Sequence, residues 1–313
     1  MCQCKPKRRP HERPPKSYQD PSAWEDDERL KRNYNLPLED LKKKMEEKGD
    51  CGVSLDDTVY VYVVQTTSVD VNCTIYQHGC GPNFEGGIIT LTNCKHRMRC
   101  SSELKKAFKN GKLWIAGVTS KDKRNNPFQK NFLFYLMKVD ESISANSFYD
   151  LWNRFNYNSQ VQNIRNIKNA CNNPLGDLYQ PKNNCNFNVG SNRWNPNCYH
   201  PTCRDHVHYP SYITQCNHRY RTNPNCWATC GRNKKKEGCW AEDIAKYCNK
   251  NQNNRPLLLA GENPFIGKKK NSLCFNSFLW TKALIEFVCP IWQGHRVMSL
   301  SDFLYVLRSF TCP

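Results

Sequence analysis

The sequence predicts an α+β domain built on a curved or barrel-like mixed sheet with peripheral helices. Two observations predict this class: runs of β-branched and aromatic residues that suit buried strands, and amphipathic segments of helical spacing between them. A third is a stretch at about 181–253 that is rich in Asn, Pro, Cys and His and has almost no apolar periodicity. We interpret this stretch as a loop-dominated insertion into one domain, because strand-forming sequence resumes after it.

The domain boundaries follow changes in composition along the chain. Residues 1–22 are rich in proline, lysine and arginine, which is typical of an extended, disordered basic arm. Residues 23–57 alternate acidic and basic blocks and place Leu38, Leu41 and Met45 at helical spacing, which predicts a charged helical lead-in. The α+β domain then spans residues 58–313.

Individual elements can be placed in order within this domain. The run from Val59 to Val64 is β-branched and aromatic throughout, which predicts a buried strand. Ser101, just before a periodic segment, predicts a helix N-terminus. The further predicted strands lie at about 87–92, 112–118, 131–139 and 255–260, and the predicted helices lie at about 101–109, 144–155, 275–287 and 299–310.

The charge of the chain favours a polyanionic partner. Its 46 Lys and Arg residues against 28 Asp and Glu residues give a formal net charge of +18, and binding to phosphates would release their condensed counterions. A general compositional bias is the alternative, because Asn and Lys are frequent throughout the chain. No apolar run approaches the roughly 18 residues of a membrane-spanning helix, so we expect no membrane partner.

The cysteines bear on compartment and cofactor. Their number, 19, is odd, so complete pairing within the chain is impossible. The first residues carry charges and prolines in place of a secretory apolar region, which predicts an intracellular protein, nuclear or cytoplasmic. Clustered Cys and His residues in the insertion then predict structural zinc, with disulfides or unbonded cysteines as alternatives. The candidate ligands are Cys198, His200, Cys203, His206, His208, Cys216, His218, Cys226, Cys230 and Cys239.

The segment 79–99 predicts a ligand pocket. Its turn Pro82-Asn83-Phe84 would present an amide and an aromatic ring, and a basic strand would follow. The three cations of that strand are Lys95, Arg97 and Arg99. Such a combination suits a nucleobase with its phosphate. Phe84 would stack on the base, Asn83 and Asp177 would read its hydrogen-bonding edge, and Lys95 and Arg99 would hold the phosphate. The alternatives are a buried Phe84 and ordinary exposed strand charges.

Catalysis has weaker support in the sequence. The chain contains no P-loop, no serine nucleophile elbow and no zinc-protease motif. Asp70 and Asp177 lie on predicted loops next to strand ends, where either carboxylate would act as a base in an enzyme for nucleobases or nucleotides. The alternative for both is a turn residue that hydrogen-bonds its own backbone.

The order of these motifs resembles the nucleotide modification associated domain family, type 2. The similar segments are Tyr60 to Val64 with Asp70, Pro82-Asn83-Phe84, Ile89-Thr90-Leu91, Cys94-Lys95 with Arg99, Gly111 to Ile115, Phe134 to Glu141, Gly176 to Tyr179 and Leu257 to Ala260. This resemblance, over about residues 58–180 and 255–290, implies a protein that acts with base-modifying enzymes. It adds Tyr179 to Asp177 as a candidate nucleotide-binding residue. Gly111-Lys112 replaces the family's Gly-Asp, and the insertion has no counterpart there.

Taken together, the sequence predicts binding of nucleic acid or of a modified nucleotide by the 79–99 pocket. An enzyme acting on a nucleobase or nucleotide is the first alternative. A cysteine-rich structural or interaction protein is the second, and it would bind nucleic acid only through the basic arm.

Overall fold

Strand β1 (Thr58–Val64) is the centre of the fold because both of its faces are buried. Successive side chains of a strand point to opposite faces. Tyr60, Tyr62 and Val64 therefore join one hydrophobic cluster, while the alternate valines at 59, 61 and 63 join a second. The unbroken apolar run of the sequence reflects this burial on both sides.

The computed structural model describes a defined part of the chain. The described residues are 38–46, 53–65, 67–73, 75–77, 81–93, 95–156, 158–173, 175–203, 239–245, 255–261, 272–274, 283–289, 291 and 294–313. The predicted arm at 1–22, part of the lead-in and most of the insertion lie outside these residues. None of the described helices combines the length and the apolar character that a bilayer crossing requires.

The main sheet has five described strands. Strand β1 pairs in parallel with β5 (Leu113–Thr119) and antiparallel with β10 (His295–Ser299). On the other side of β5, antiparallel pairing adds β6 (Leu133–Lys138) and then β8 (Ser272–Cys274). The order is β10-β1-β5-β6-β8, so the sheet is mixed, as predicted. None of the sheets among the described strands closes into a barrel.

Short strands and helices surround this sheet. Three two-stranded sheets pair β2 (Thr67–Val69) with β3 (Ile75–Gln77), β4 (Thr90–Leu91) with β7 (Leu259–Ala260), and β9 (Ala283–Phe287) with β11 (Leu307–Thr311). The described helices are α1 (Leu38–Glu46), α2 (His96–Cys100), α3 (Ser102–Lys109), α4 (Phe148–Arg154), α5 (Ser159–Ile167), α6 (Cys239–Ala245) and α7 (Leu300–Tyr305).

Helices α2 and α3 are the last part of the connection between the parallel strands β1 and β5, after strands β2, β3 and β4. The Ser101 side chain accepts a hydrogen bond from Leu104 N at 3.1 Å, which begins α3 as the sequence predicted. Leu104 and Ala107 are buried in the first cluster, so the opposite side of α3 faces solvent. Gly111, at φ +64°, terminates this segment in a left-handed conformation that glycine adopts without strain.

The second cluster covers the other face of the main sheet. It contains Leu38, Leu41 and Met45, so the apolar face predicted for the lead-in helix is confirmed. Helix α7 adds Leu300 and Phe303 to the same cluster. The sheet is therefore enclosed between α3 on one side and α1 and α7 on the other.

Two predicted helices are corrected by the structure. Residues 283–287 form strand β9, and residues 299–310 contain α7 followed by strand β11. Ile285 and Phe287 of β9 lie in the second cluster and Leu284 lies in the first, so this strand is covered on both faces. A short run that is apolar throughout does not distinguish a buried strand from a helix. The remainder of the predicted helix, 275–282, lies outside the described residues.

A third hydrophobic cluster includes residues from the start of the segment that we interpreted as a loop-dominated insertion. Val161 and Ile164 of α5 pack there with Tyr179 and with Tyr199 from the start of the predicted insertion. Trp240 of α6 belongs to the same cluster. Residues 181–203 are thus anchored to a hydrophobic core through Phe187, Cys198 and Tyr199, although their sequence shows little periodicity.

Two disulfides that join pairs of described cysteines also stabilise this architecture. Cys73 is bonded to Cys312, which fastens the end of β11 to the loop between β2 and β3. Cys185 is bonded to Cys198 across the start of the predicted insertion. Disulfides are typical of oxidising compartments, so this finding does not support the expectation of a reducing one.

Gly117 in β5 provides a test of the sheet packing. A Cβ atom there would lie 2.3 Å from Tyr135 Cε1 and 2.7 Å from Val64 Cγ2. Gly117→Ala should therefore lower the free energy of unfolding by about 1–3 kcal/mol in urea titrations. In the control Gly190→Ala, the added Cβ meets no atom within 4 Å, so stability should be unchanged. Equal unfolding midpoints for the two variants would contradict the described packing.

Candidate functional site

The predicted site residues Asn83 and Asp177 meet in the interior of the protein. Both side chains are 0% exposed. Asn83 and Thr90 exchange two backbone hydrogen bonds of 2.9 Å across the bend that precedes β4. Asp177 accepts side-chain hydrogen bonds from Thr90 Oγ1 at 2.9 Å and from Thr92 Oγ1 at 3.0 Å. The two threonines therefore connect the bend to the Asp177 carboxylate.

A lysine that the sequence analysis missed completes this arrangement. Lys168 is also 0% exposed, and its Nζ donates to Asn83 O at 3.0 Å, Asn83 Oδ1 at 2.7 Å and Thr90 Oγ1 at 3.1 Å. An ammonium has three donor hydrogens, so each has an acceptor. We refer to Asn83, Thr90, Thr92, Lys168 and Asp177 as the buried network.

Local structure explains how Lys168 reaches this position. Helix α5 begins at Asn158, whose side chain accepts from Val161 N at 2.9 Å. Val161 and Ile164 turn toward the third cluster, and Lys168 N donates to Ile164 O at 3.0 Å at the end of the helix. The lysine is thus carried inward by the apolar face of its own helix.

Asp177 depends on the glycine before it. A Cβ on Gly176 would lie 2.6 Å from Ala170 N and 2.7 Å from Lys168 O. Because glycine has no Cβ, the two segments approach closely, and Leu178 N donates to Lys168 O at 3.0 Å. This parallel contact places the lysine and the aspartate at the same end of the third cluster.

Burial shifts the titration of both charged groups in the network. It raises the pKa of Asp177 to about 7, against the opposing effects of Lys168 and the two threonine hydroxyls. It lowers the pKa of Lys168 to about 8, against the attraction of Asp177 and Glu85. A pKa near 7 suits a general base, but the hydrogen bonds to this carboxylate come from buried protein groups.

The side chains expected to form an open pocket are enclosed. Phe84 is 0% exposed, and its ring centroid lies 5.2 Å from that of Phe134 and 5.7 Å from that of Tyr135. The Asn83 amide donates to Leu175 O at 2.9 Å and to Glu85 Oε2 at 3.1 Å. The expectation that these two groups face a base in a solvent-open cavity is wrong, because core packing and internal hydrogen bonds already engage them.

Arg99 and Tyr179 are also interior residues. Arg99 lies on helix α2, where a basic strand was predicted, and is 1% exposed. Its guanidinium donates to Thr92 O at 2.8 Å and Asn93 O at 2.9 Å, so its assignment as a surface phosphate ligand is wrong. Tyr179 is 1% exposed, and its hydroxyl donates to Asn93 Oδ1 at 3.1 Å. Arg99 therefore holds the backbone that follows β4, and Tyr179 holds the Asn93 side chain.

The remaining predicted cations lie at the surface. Arg97 is exposed on α2, and Lys95 is partly exposed just before it. Lys95 Nζ lies 3.2 Å from Gly294 O and 5.6 Å from the centroid of the Tyr62 ring. These two cations therefore have no part in the buried network.

Further lysines extend this charged surface along α3. Residues 95–112 contain a single carboxylate, Glu103. We define the basic face as the partly or fully exposed cations of this segment: Lys95, Arg97, Lys105, Lys106, Lys109 and Lys112. Burial and the neighbouring charge of Lys109 lower the pKa of Lys105. Like charges therefore lie close enough on this face to repel one another.

The second predicted base, Asp70, lies in the turn after β2. Its Oδ1 accepts from Asn72 N at 2.9 Å, and its carbonyl oxygen accepts from Cys73 N at 3.1 Å. These are the hydrogen bonds of a turn-forming aspartate. The turn leads directly into the Cys73–Cys312 disulfide.

The zinc hypothesis is altered at one ligand. Cys198 forms a disulfide with Cys185, so its thiolate is not available to a metal. His200 is exposed, Cys203 is partly exposed, and Cys239 begins α6. The other candidates, His206, His208, Cys216, His218, Cys226 and Cys230, lie outside the described residues. Within the described part of the chain, no three His, Cys, Asp or Glu residues form a metal-binding group.

Comparisons with protein-family models, with characterised proteins and with solved structures found no match to this chain. The resemblance to the nucleotide modification associated domain therefore stays a prediction.

Replacing Lys168 tests the structural importance of the buried network. In Lys168→Met the Asp177 carboxylate loses its buried counter-charge, and Asn83 loses the two hydrogen bonds that Lys168 donates to it. The free energy of unfolding should fall by about 3–5 kcal/mol. Lys182→Met is the control, because Lys182 Nζ makes an exposed hydrogen bond to Asn197 O at 2.9 Å. Urea denaturation of both variants gives the measurement, and a Lys168→Met protein as stable as the control would refute this role.

The buried network also predicts a pH dependence of folding. Because burial raises the pKa of Asp177 from 3.8 to about 7, the folded state holds this proton more tightly than the unfolded chain. The resulting stabilisation is complete below about pH 4 and is lost as the pH rises through about 7. Lys168, with its pKa lowered to about 8, changes charge above that window.

Urea unfolding at about pH 5 and about pH 7 measures this effect against Asp177→Asn, which has no carboxyl group to titrate. The wild-type protein should lose about 2 kcal/mol relative to the variant between the two conditions, at up to about 1.4 kcal/mol per pH unit. A stability difference between wild type and variant that is independent of pH would show that Asp177 has an ordinary pKa.

Proposed function

We propose that this protein binds nucleic acid through the basic face formed by α2 and α3. The observation that carries the proposal is the composition of residues 95–112, where six exposed or partly exposed cations accompany one carboxylate. Phosphate groups spaced along a strand would neutralise several of these cations at once and release their own counterions. The excess positive charge of the whole chain, +18, favours the same class of partner.

The packing of α3 supports a role in binding. Its apolar side is fixed on the first cluster by Leu104 and Ala107, so its lysines project from a rigid surface. Lys106, Lys109 and Lys112 make no ion pair among the described residues. At these three lysines, an incoming phosphate would therefore displace no carboxylate of the described residues. It would also relieve the repulsion between Lys105 and Lys109.

Two earlier expectations are not part of this proposal. A base-reading pocket at Asn83 and Phe84 is left out because both side chains are buried. A nuclear or cytoplasmic location is left out because these two disulfides are typical of an oxidising environment.

Structural zinc bound by the remaining candidate ligands stays a separate hypothesis. Elemental analysis of the purified protein tests it, and a zinc-free protein would reject it.

Charge removal on α3 tests the proposed function. The double variant Lys106→Gln/Lys109→Gln should bind a single-stranded oligonucleotide more weakly. The slope of log K against log salt should fall by about 1 to 2, because about two phosphate contacts are lost. The matched control is Lys123→Gln/Lys182→Gln, which removes the same charge from other parts of the surface. Fluorescence anisotropy across a salt series gives both slopes.

Equal slopes for the two double variants would assign binding to charge in general and reject the basic face. Deletion of residues 1–22 separates the remaining alternative, since a cysteine-rich structural protein would lose all nucleic-acid affinity with the arm. The proposal requires the arm-deleted chain to keep salt-dependent binding that Lys106→Gln/Lys109→Gln weakens.

A further inference from the structure

A second surface, formed by residues that do not belong to the basic face, combines arginines with aromatic rings. The guanidinium carbon of Arg165 on α5 lies 4.7 Å from the centroid of the Trp152 ring on α4. Tyr149 lies three residues before Trp152 on α4, and the guanidinium carbon of Arg193 lies 5.6 Å from the centroid of its ring. Tyr149 also stacks on Phe187 at 4.1 Å with an interplanar angle of 8°. We call these five residues the arginine–aromatic strip.

The rings of the strip rest on a rigid base. Tyr149 and Trp152 are partly exposed and pack against the third cluster, of which Phe187 is a buried member. Tyr149 and Trp152 lie three residues apart on one helix, so their side chains are neighbours on its surface. Each ring therefore contacts both the cluster and an arginine.

The two arginines differ in their surroundings. Arg193 donates to Asp150 Oδ1 at 3.0 Å and to Phe187 O at 3.1 Å. Its charge is therefore paired with a carboxylate, and its orientation is fixed by these two bonds. Arg165 makes no ion pair among the described residues, and its Nε is buried with no hydrogen-bond partner. Among the described residues, its one side-chain hydrogen bond is a long contact of 3.5 Å to Asn166 Oδ1. Arg165 is partly exposed, and no described carboxylate neutralises its charge.

We propose that this strip is a stacking platform for the bases of single-stranded nucleic acid, an inference that rests on the proposed function. A base would stack on the exposed part of the Arg165 guanidinium, whose carbon lies 4.7 Å from the centroid of the Trp152 ring. Arginine planes and aromatic rings are common stacking partners of unpaired bases. A duplex hides its base faces within the helix, so the platform selects single strands.

Base stacking can be separated from phosphate binding by two probes on the full-length chain. An oligothymidylate strand offers both bases and phosphates, whereas an abasic deoxyribose-phosphate strand of equal length offers phosphates alone. The wild-type protein should bind oligothymidylate about tenfold more tightly than the abasic strand, as expected for one or two stacked bases. In Arg165→Lys, which keeps the charge but loses the plane, this ratio should fall toward one.

The control for this substitution is Arg154→Lys on α4. Arg154 donates to Glu141 O at 2.8 Å and is not a member of the strip, so its replacement should leave the tenfold ratio intact. Urea unfolding of both variants monitors folding independently. A purely structural role for the Arg165–Trp152 pair would lower stability and leave the ratio unchanged, and that result would overturn the proposal.

The outcomes also distinguish this inference from the proposed function. If the wild type binds both strands equally and Lys106→Gln/Lys109→Gln weakens both, the basic face is supported and the stacking platform is rejected. Should oligothymidylate preference depend on Arg165 while the α3 lysines have no effect, the basic face would be rejected and the platform retained. Absence of binding to either strand would reject both.

Discussion

The buried hydrogen-bonded network around Lys168 and Asp177 is the constraint on which the interior of this protein depends. Removing an ammonium and a carboxylate from water costs several kcal/mol for each group unless close partners compensate. Asn83, Thr90 and Thr92 provide these partners. The requirement fixes the bend before β4 against the segment that follows α5. As a result, the segment after α5, which packs in the third hydrophobic cluster, is joined to strand β4 and the bend before it by polar contacts.

The same constraint decides which residues can meet a ligand. The polar and aromatic side chains of the bend are directed inward, and the Arg99 guanidinium is bound to backbone carbonyls in the interior. The cations of α3 remain outside because Leu104 and Ala107 occupy its inner face. The surface proposed for polyanions is therefore formed by the helical part of the connection between β1 and β5. The arginine–aromatic strip is formed where α4 packs on the third cluster.

The sequence predicts elements well where one period dominates. Strands β1 and β5 and helix α3 follow from continuous apolar runs and from the Ser101 cap, whose side chain and spacing are local properties. Strand β9 and residues 181–203 are not predicted, since their order comes from distant partners. The sequence indicates Asp177 as a candidate site residue. It does not indicate Lys168, because one lysine in an Asn-rich segment has no distinctive spacing. Nothing local shows that Phe84 points inward.

Chemical acetylation of lysines, quantified by mass spectrometry with and without a single-stranded oligonucleotide, tests the central claim most directly. The account predicts that Lys168 of the folded protein stays unmodified in both samples. Lys106, Lys109 and Lys112 should react readily in the free protein and should be protected by the oligonucleotide, while Lys123 and Lys182 should react equally in both. Modification of Lys168 in the folded state, or equal reactivity of the α3 lysines with and without the strand, would contradict the account.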